Sequence, residues 1–245
     1  MSARVTFATA ARVLWQIRRD PRTVALLLVV PAGLLVLMKF VFDAQPHTFQ
    51  AIGAPLCGLF PFIIMFLITS IAMLRERTTG TLERLMTLPL AKADLLAGYG
   101  IAFGLLAALQ AAVVCGVGFA FLGLDAPHGA LAVAALAILN AVLGMALGLL
   151  ASAFAQTEFQ AVQFMPAVIL PQLLLCGLFV ARDEMAQLLY DVSWLMPLTY
   201  AYDALHRVTV PAPLNGRVAV DVVVVVGVTI ASLGLAAATL RRRTA

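Results

Sequence analysis

Six stretches of this chain are apolar for long enough to cross a lipid bilayer, and nothing else in the sequence restricts the fold as much. They run near Val24–Phe42, Ala51–Leu74, Leu95–Leu122, Ala130–Phe154, Ala161–Val180 and Val218–Leu240. A helix needs about 20 apolar residues to span the hydrocarbon core. No water is present there to satisfy the backbone, so each stretch must close its own hydrogen bonds as a helix. The expected fold class is therefore an all-α integral membrane protein with six transmembrane helices. Composition agrees: 11% of the 245 residues are charged and the mean hydropathy is +1.02, against roughly 25% charged in a soluble domain. The first run begins only after Arg22 and is long, which reads as an uncleaved span rather than a signal peptide.

The charges set an orientation. With both termini inside, the inner side holds Arg4, Arg12, Arg18, Arg19 and Arg22, then Arg75, Arg77, Arg84 and Lys92, then Arg241, Arg242 and Arg243. Only Lys39, Arg182, Arg207 and Arg217 fall outside. That roughly three-to-one excess is a positive-inside signal. Because the positive charges flank apolar runs, the net charge of +4 points to lipid and not to nucleic acid. The expected location is the plasma (inner) membrane.

The single domain, residues 1–245, divides into residues 1–22, spans 1–5 within 23–180, an outer segment 181–217, and residues 218–245 with the last span and a basic tail. Before the first span, Phe7, Ala10, Leu14 and Ile17 recur at helical spacing, with Thr9, Arg12, Gln16, Arg19 and Asp20 opposite. This predicts an amphipathic helix in the inner interface, its arginines facing lipid phosphates; the simpler reading is a charge cluster that sets topology. Pro21 marks its end. The outer segment mixes Asp183, Glu184 and Asp191 with Leu188, Tyr190 and Trp194, which suits short helices resting in the outer interface.

Chemistry is sparse. The histidines (His47, His128, His206) are scattered, the cysteines (Cys57, Cys115, Cys176) lie singly in apolar runs, and there is no zinc motif and no P-loop. A charge at the centre of a span costs about 2.5–3.5 kcal/mol. Only Lys39, Asp94 and Asp221 come near the spans, each at an edge, which argues against a proton-coupled pump. Neutral polar residues inside spans (Thr69, Ser70, Gln110, Asn140, Ser152, Gln163, Gln172) are expected to bond between helices, and some to line a passage. Pro31, Pro55, Pro61, Pro166 and Pro171 predict kinks. Gly100/Gly104 and Gly144/Gly148 have the spacing that lets helices approach closely.

Between the second and third runs lies a charged island, 75–90. Gly80 and Pro89 bracket a short helix on which Leu82, Leu85 and Met86 form an apolar stripe. Such a stub either docks in a partner's groove or lies on the lipid surface.

Here the residues resemble a known family. Arg-Glu-Arg-Thr-Thr-Gly-Thr-Leu-Glu-Arg-Leu (75–85) and Thr-Leu-Pro-Leu-Ala-Lys-Ala-Asp-Leu-Leu (87–96) are similar to the signature loop of ABC-2 type transporter permeases, in the drug- and antibiotic-efflux branch. Met196-Pro-Leu-Thr-Tyr-Ala-Tyr-Asp-Ala-Leu-His-Arg207 resembles the loop before that family's last span, and Pro171–Gly177 is a looser match. His206 departs from the pattern, in which Arg often follows Leu directly. The resemblance implies a permease that binds no cofactor itself. ATP and Mg would be held by a separate P-loop ATPase subunit, present in two copies, and the permease would pair with a second copy or a sister permease. Gly80, Thr81, Leu82, Glu83, Arg84, Leu85 and Met86 would form the cytoplasmic coupling helix, and Phe7, Leu14 and Ile17 would belong to a connecting helix. Thr69, Gln163 and Gln172 would lie on the translocation path. Pro197, Thr199, Tyr200, Asp203 and Arg207 carry the outer-loop motif. The implied cargo is a hydrophobic drug, antibiotic or lipid. The alternatives are a polysaccharide or glycolipid cargo, or a scaffold or sensor without transport.

Overall fold

The computed structural model describes residues 3–81, 92–211 and 216–239. Among these residues there are nine α-helices and one 3-10 turn, and no strand. They are α1 (Ala3–Arg18), α2 (Pro21–Val41), α3 (Pro46–Thr78), α4 (Lys92–Ala120), α5 (Ala130–Ala151), α6 (Glu158–Leu175), the 3-10 turn Arg182–Glu184, α7 (Gln187–Ser193), α8 (Pro197–Arg207) and α9 (Gly216–Thr239). Six of them, α2 to α6 and α9, are long and apolar enough to cross a membrane. The chain is a multi-pass membrane protein.

The bundle is built around α3, which touches α2, α4, α5, α6 and α8. Two-thirds of its apolar stretch is buried, against about a fifth for α2, α6 and α9 at the periphery. With 33 residues it is about 50 Å long, well beyond the ~30 Å of hydrocarbon. The surplus carries Arg75, Glu76 and Arg77 out of the apolar layer. Its closest neighbour is α5, and glycine makes that contact: a Cβ at Gly144 would strike the carbonyl of Phe62, and one at Gly148 would strike Thr69 and the Phe66 carbonyl. Thr69 donates across the same seam to the Met145 carbonyl at 3.2 Å. Gly100 and Gly104 face open space, so the same spacing there brings no helix close.

Other expectations need correction. Among the described residues, Thr69 and Gln172 are the neutral polar span residues seen to bond to another element: Gln172 accepts from the Leu198 amide at 3.4 Å. Ser70 and Ser152 return to their own helix, to Leu67 and Leu149. Gln110 and Asn140 are buried without a hydrogen-bond partner among the described residues. The fifth span stops at Leu175, short of the expected Val180, because the chain turns at Gly177 with φ 101°.

The largest correction concerns the outer segment. α8 does not rest on a surface. Leu198, Thr199, Ala201, Tyr202, Ala204 and Leu205 are buried, and Leu205 packs where a Cβ on Gly58 of α3 would sit. Gly58 is twelve residues into α3, roughly 18 Å along its axis. α8 is thus wedged into the bundle against α3, α5 and α9. Gly58 gives it room.

Candidate functional site

Two groups of charges hold opposite ends of the bundle. At the first end, α1 lies against α4. Gly98 is the point of closest approach, where a Cβ would meet Thr9 Cβ at 2.6 Å and the Thr6 carbonyl at 2.8 Å. The packed face of α1 is therefore Thr6, Thr9, Ala10, Val13 and Ile17. Small residues let the backbones approach, and Phe7, 64% exposed, turns away. Leu14 packs half-buried at the edge of this face. The arginines correct the expectation in part. Arg18 and Arg19 are exposed beside Trp15, 5.5 and 5.7 Å from its ring centre. Arg12 faces protein rather than lipid phosphate, donating to Glu76 Oε1 at 3.0 Å and to the Tyr99 hydroxyl at 2.5 Å. Burial works against its charge, but the bonds to Glu76 and Tyr99 outweigh that and raise its pKa.

Arg12, Glu76 and Tyr99 thus tie α1, α3 and α4 together. The neighbouring Arg75 makes a two-toothed bond to Glu158 at the start of α6, at 2.7 and 3.0 Å. Asp20 caps α2, accepting from Thr23 Oγ1 at 2.7 Å and from the amides of Arg22 and Thr23; the bonds from Thr23 lower its pKa. Three elements, α1, α4 and α6, are in this way anchored on one turn of α3. That turn ends three residues later. Thr79 Oγ1 donates back to the Arg75 carbonyl at 2.7 Å, and Gly80, at φ 71°, leaves the helix in a conformation glycine takes without strain. Gly80 and Thr81 are the last residues of the island on the described chain; Leu82, Glu83, Arg84, Leu85 and Met86 lie outside the described residues.

At the other end the outer-loop motif closes a second group. Pro197 starts α8, Thr199 is fully buried, and the Tyr200 hydroxyl donates to the Trp194 carbonyl at 2.8 Å. Asp203 pairs with Arg182. Asp221, whose side chain is fully buried, lies between Arg207 at 3.7 Å and Arg217 at 3.9 Å. The guanidinium groups of Arg182 and Arg217 lie 4.4 and 4.9 Å from the centre of the Trp194 ring. This ties the 3-10 turn, α7, α8 and α9 into one cap.

The model of the ABC-2 type transporter family matches residues 4–209, from α1 to just past α8. The chain belongs to the ABC-2 type transporter family. No curated protein matches it.

Within this ABC-2 membrane domain, the residues expected to line a path are not equivalent. Thr69 is fully buried in the α3–α5 seam, and Gln172 is buried between α6 and α8. Both are buried within the single chain. Gln163 alone is exposed, on α6. Sequence reasoning missed Glu76, Tyr99, Arg182 and Asp221 as members of clusters. Glu76, Tyr99 and Arg182 lie far along the chain from their partners, so no local pattern marks those pairings, whereas Arg217 and Asp221 stand at i,i+4. The usable signal was that a charge inside or beside an apolar run requires a partner.

The Arg182–Asp203 pair leads to a prediction. Burial raises the Asp203 pKa although Arg182 pulls it down. A carboxyl with a raised folded pKa binds more protons when folded, so its contribution falls as pH rises through that window. Arg182→Met removes the main attraction and raises the pKa further. The variant is expected to lose about 2–3 kcal/mol at pH 7.5 and to regain part of it at pH 5. Melting in detergent at both values checks this; equal losses would contradict it.

Proposed function

We propose that this chain is the membrane-spanning permease subunit of an ATP-binding-cassette exporter in the drug-efflux branch. It moves a hydrophobic or amphiphilic substrate outward across the plasma membrane, with both termini cytoplasmic. Two separate ATPase subunits hold ATP and Mg, and a second copy or a sister permease completes the pathway. The observation that carries the reading is the anchoring of α1, α4 and α6 on Arg75 and Glu76, at the root of the loop whose sequence matches the family's coupling segment. A push on Gly80–Met86 would pass from α3 to α1 and α6 by ion pairs and to α4 by the Arg12–Tyr99 hydrogen bond rather than being dissipated in one helix. In this reading α1 is the connecting helix, and Thr69, Gln163 and Gln172 remain the proposed path residues, of which Gln163 is exposed on the single chain.

The test is co-purification of the tagged chain from its native membrane, followed by transport in vesicles. A stoichiometric P-loop ATPase, released by Leu85→Asp, is expected. Glu83→Arg is expected to leave the melting temperature within about 2 °C while transport per ATP falls at least tenfold. Absence of an ATPase partner in mild detergent would refute the reading.

A further inference from the structure

A crevice of about 250 Å³ opens in the fork between α2 and α3. Leu26, Ile64, Leu67, Ile68 and Phe103 make its apolar walls. Leu26 is 55% exposed, so the crevice opens sideways, towards the layer that lipid tails occupy. Its polar groups gather at the α1 end: Asp20, Arg75, Glu76 and Tyr99. On α3, twelve residues separate Ile64 from Glu76, roughly 18 Å of helix. The site is thus apolar along most of its length and charged at one end. Its volume lies below the ~300–1,000 Å³ of usual ligand pockets, which suits one alkyl chain and not a two-chain lipid.

The charged end has a sign. Two carboxylates line it, Asp20 and Glu76, and one guanidinium, Arg75, whose Nε and Nη2 are engaged by Glu158. Glu76 is 5% exposed. Its Oε1 accepts from Arg12, but its buried Oε2 has no hydrogen-bond partner among the described residues. A buried carboxylate oxygen without a donor is costly, and a donor carrying positive charge satisfies it best. A phosphate would face repulsion from both carboxylates.

We propose that this crevice binds a single-chain amphiphile carrying a protonated amine. Its ammonium donates to Glu76 Oε2 and its alkyl chain lies along Leu67, Ile68 and Phe103. The ligand enters from the bilayer and sits against the Arg12–Glu76–Tyr99 tie. Binding is independent of the export reading, since it requires no ATPase and no transport.

The experiment uses the full chain in zwitterionic nanodiscs with tritiated dodecylamine as probe and unlabelled dodecylamine, dodecanol and dodecyl phosphate as competitors. Saturable binding displaced by dodecylamine alone is expected. Glu76→Gln is expected to weaken it at least tenfold. Because that change also disturbs the Arg12 pair, Leu67→Trp, which fills the apolar part and leaves the charges alone, is expected to weaken it similarly with an unchanged melting curve. Non-saturable uptake, equal displacement by dodecyl phosphate, or unchanged affinity in Leu67→Trp would overturn the proposal.

Discussion

Gly148→Val is expected to abolish the folded protein or to lower its melting temperature in detergent by roughly 6–12 °C. The reason is backbone contact. A Cβ at this position meets the Phe66 carbonyl and the Thr69 hydroxyl, and neither is the free end of a flexible side chain. Overpacking of a core by flexible groups costs about 1–3 kcal/mol; here α3 and α5 must separate, and about 3 kcal/mol or more is expected. Separation would also break the Thr69 bond to Met145. Gly104→Ala is the matched control, because a Cβ there meets nothing within 4 Å, and it should melt within about 1 °C of the parent. Equal melting of the valine variant and the parent would show that the α3–α5 seam is not as close as described.

The second large effect is expected at Glu76. Glu76→Ala leaves Arg12 without its carboxylate, and breaking a fully buried pair costs about 3–5 kcal/mol. Arg12 keeps a third of its side chain exposed, so solvent recovers part of this and about 2 kcal/mol is expected. The functional loss should exceed the structural one. With α1 untied from α3, ATP hydrolysis by the assembled transporter is expected to continue while transport per ATP falls at least tenfold. The exchanged pair, Arg12→Glu with Glu76→Arg, is expected to regain most of the stability, because the two charges are adjacent in either order. If the double variant melts no higher than the worse single variant, the pair does not hold these helices together.

Much of this was legible without a structure. The apolar runs gave six spans because lipid leaves a backbone no alternative to the helix. Pro21 marked the corner between α1 and α2 because the residue before a proline is disfavoured in a helix, and α2 begins at Pro21. The Gly144/Gly148 contact was nameable for its spacing, but the identical spacing at Gly100/Gly104 faces open space, and no property of the four residues distinguishes them. The amphipathic pattern of α1 predicted a helix with Ala10, Leu14 and Ile17 on one side, which the structure packs, but put Phe7 there in place of Thr6 and Thr9. Phe7 ranks as more apolar than Thr6 or Thr9, yet close approach to Gly98 selects small side chains over apolar ones.

The sequence by itself determined what each segment is: the number of spans, their helical state and the membership of a family. These follow from short-range chemistry, namely hydropathy over about 20 residues, caps, prolines and charge runs. The tertiary structure decided which segment lies against which. It wedged α8 against Gly58, turned Arg12 towards Glu76 and Tyr99, and buried Asp221 between Arg207 and Arg217. Those outcomes depend on side-chain volumes and charges brought together from positions up to 87 residues apart, and only the packed bundle sets which of them meet.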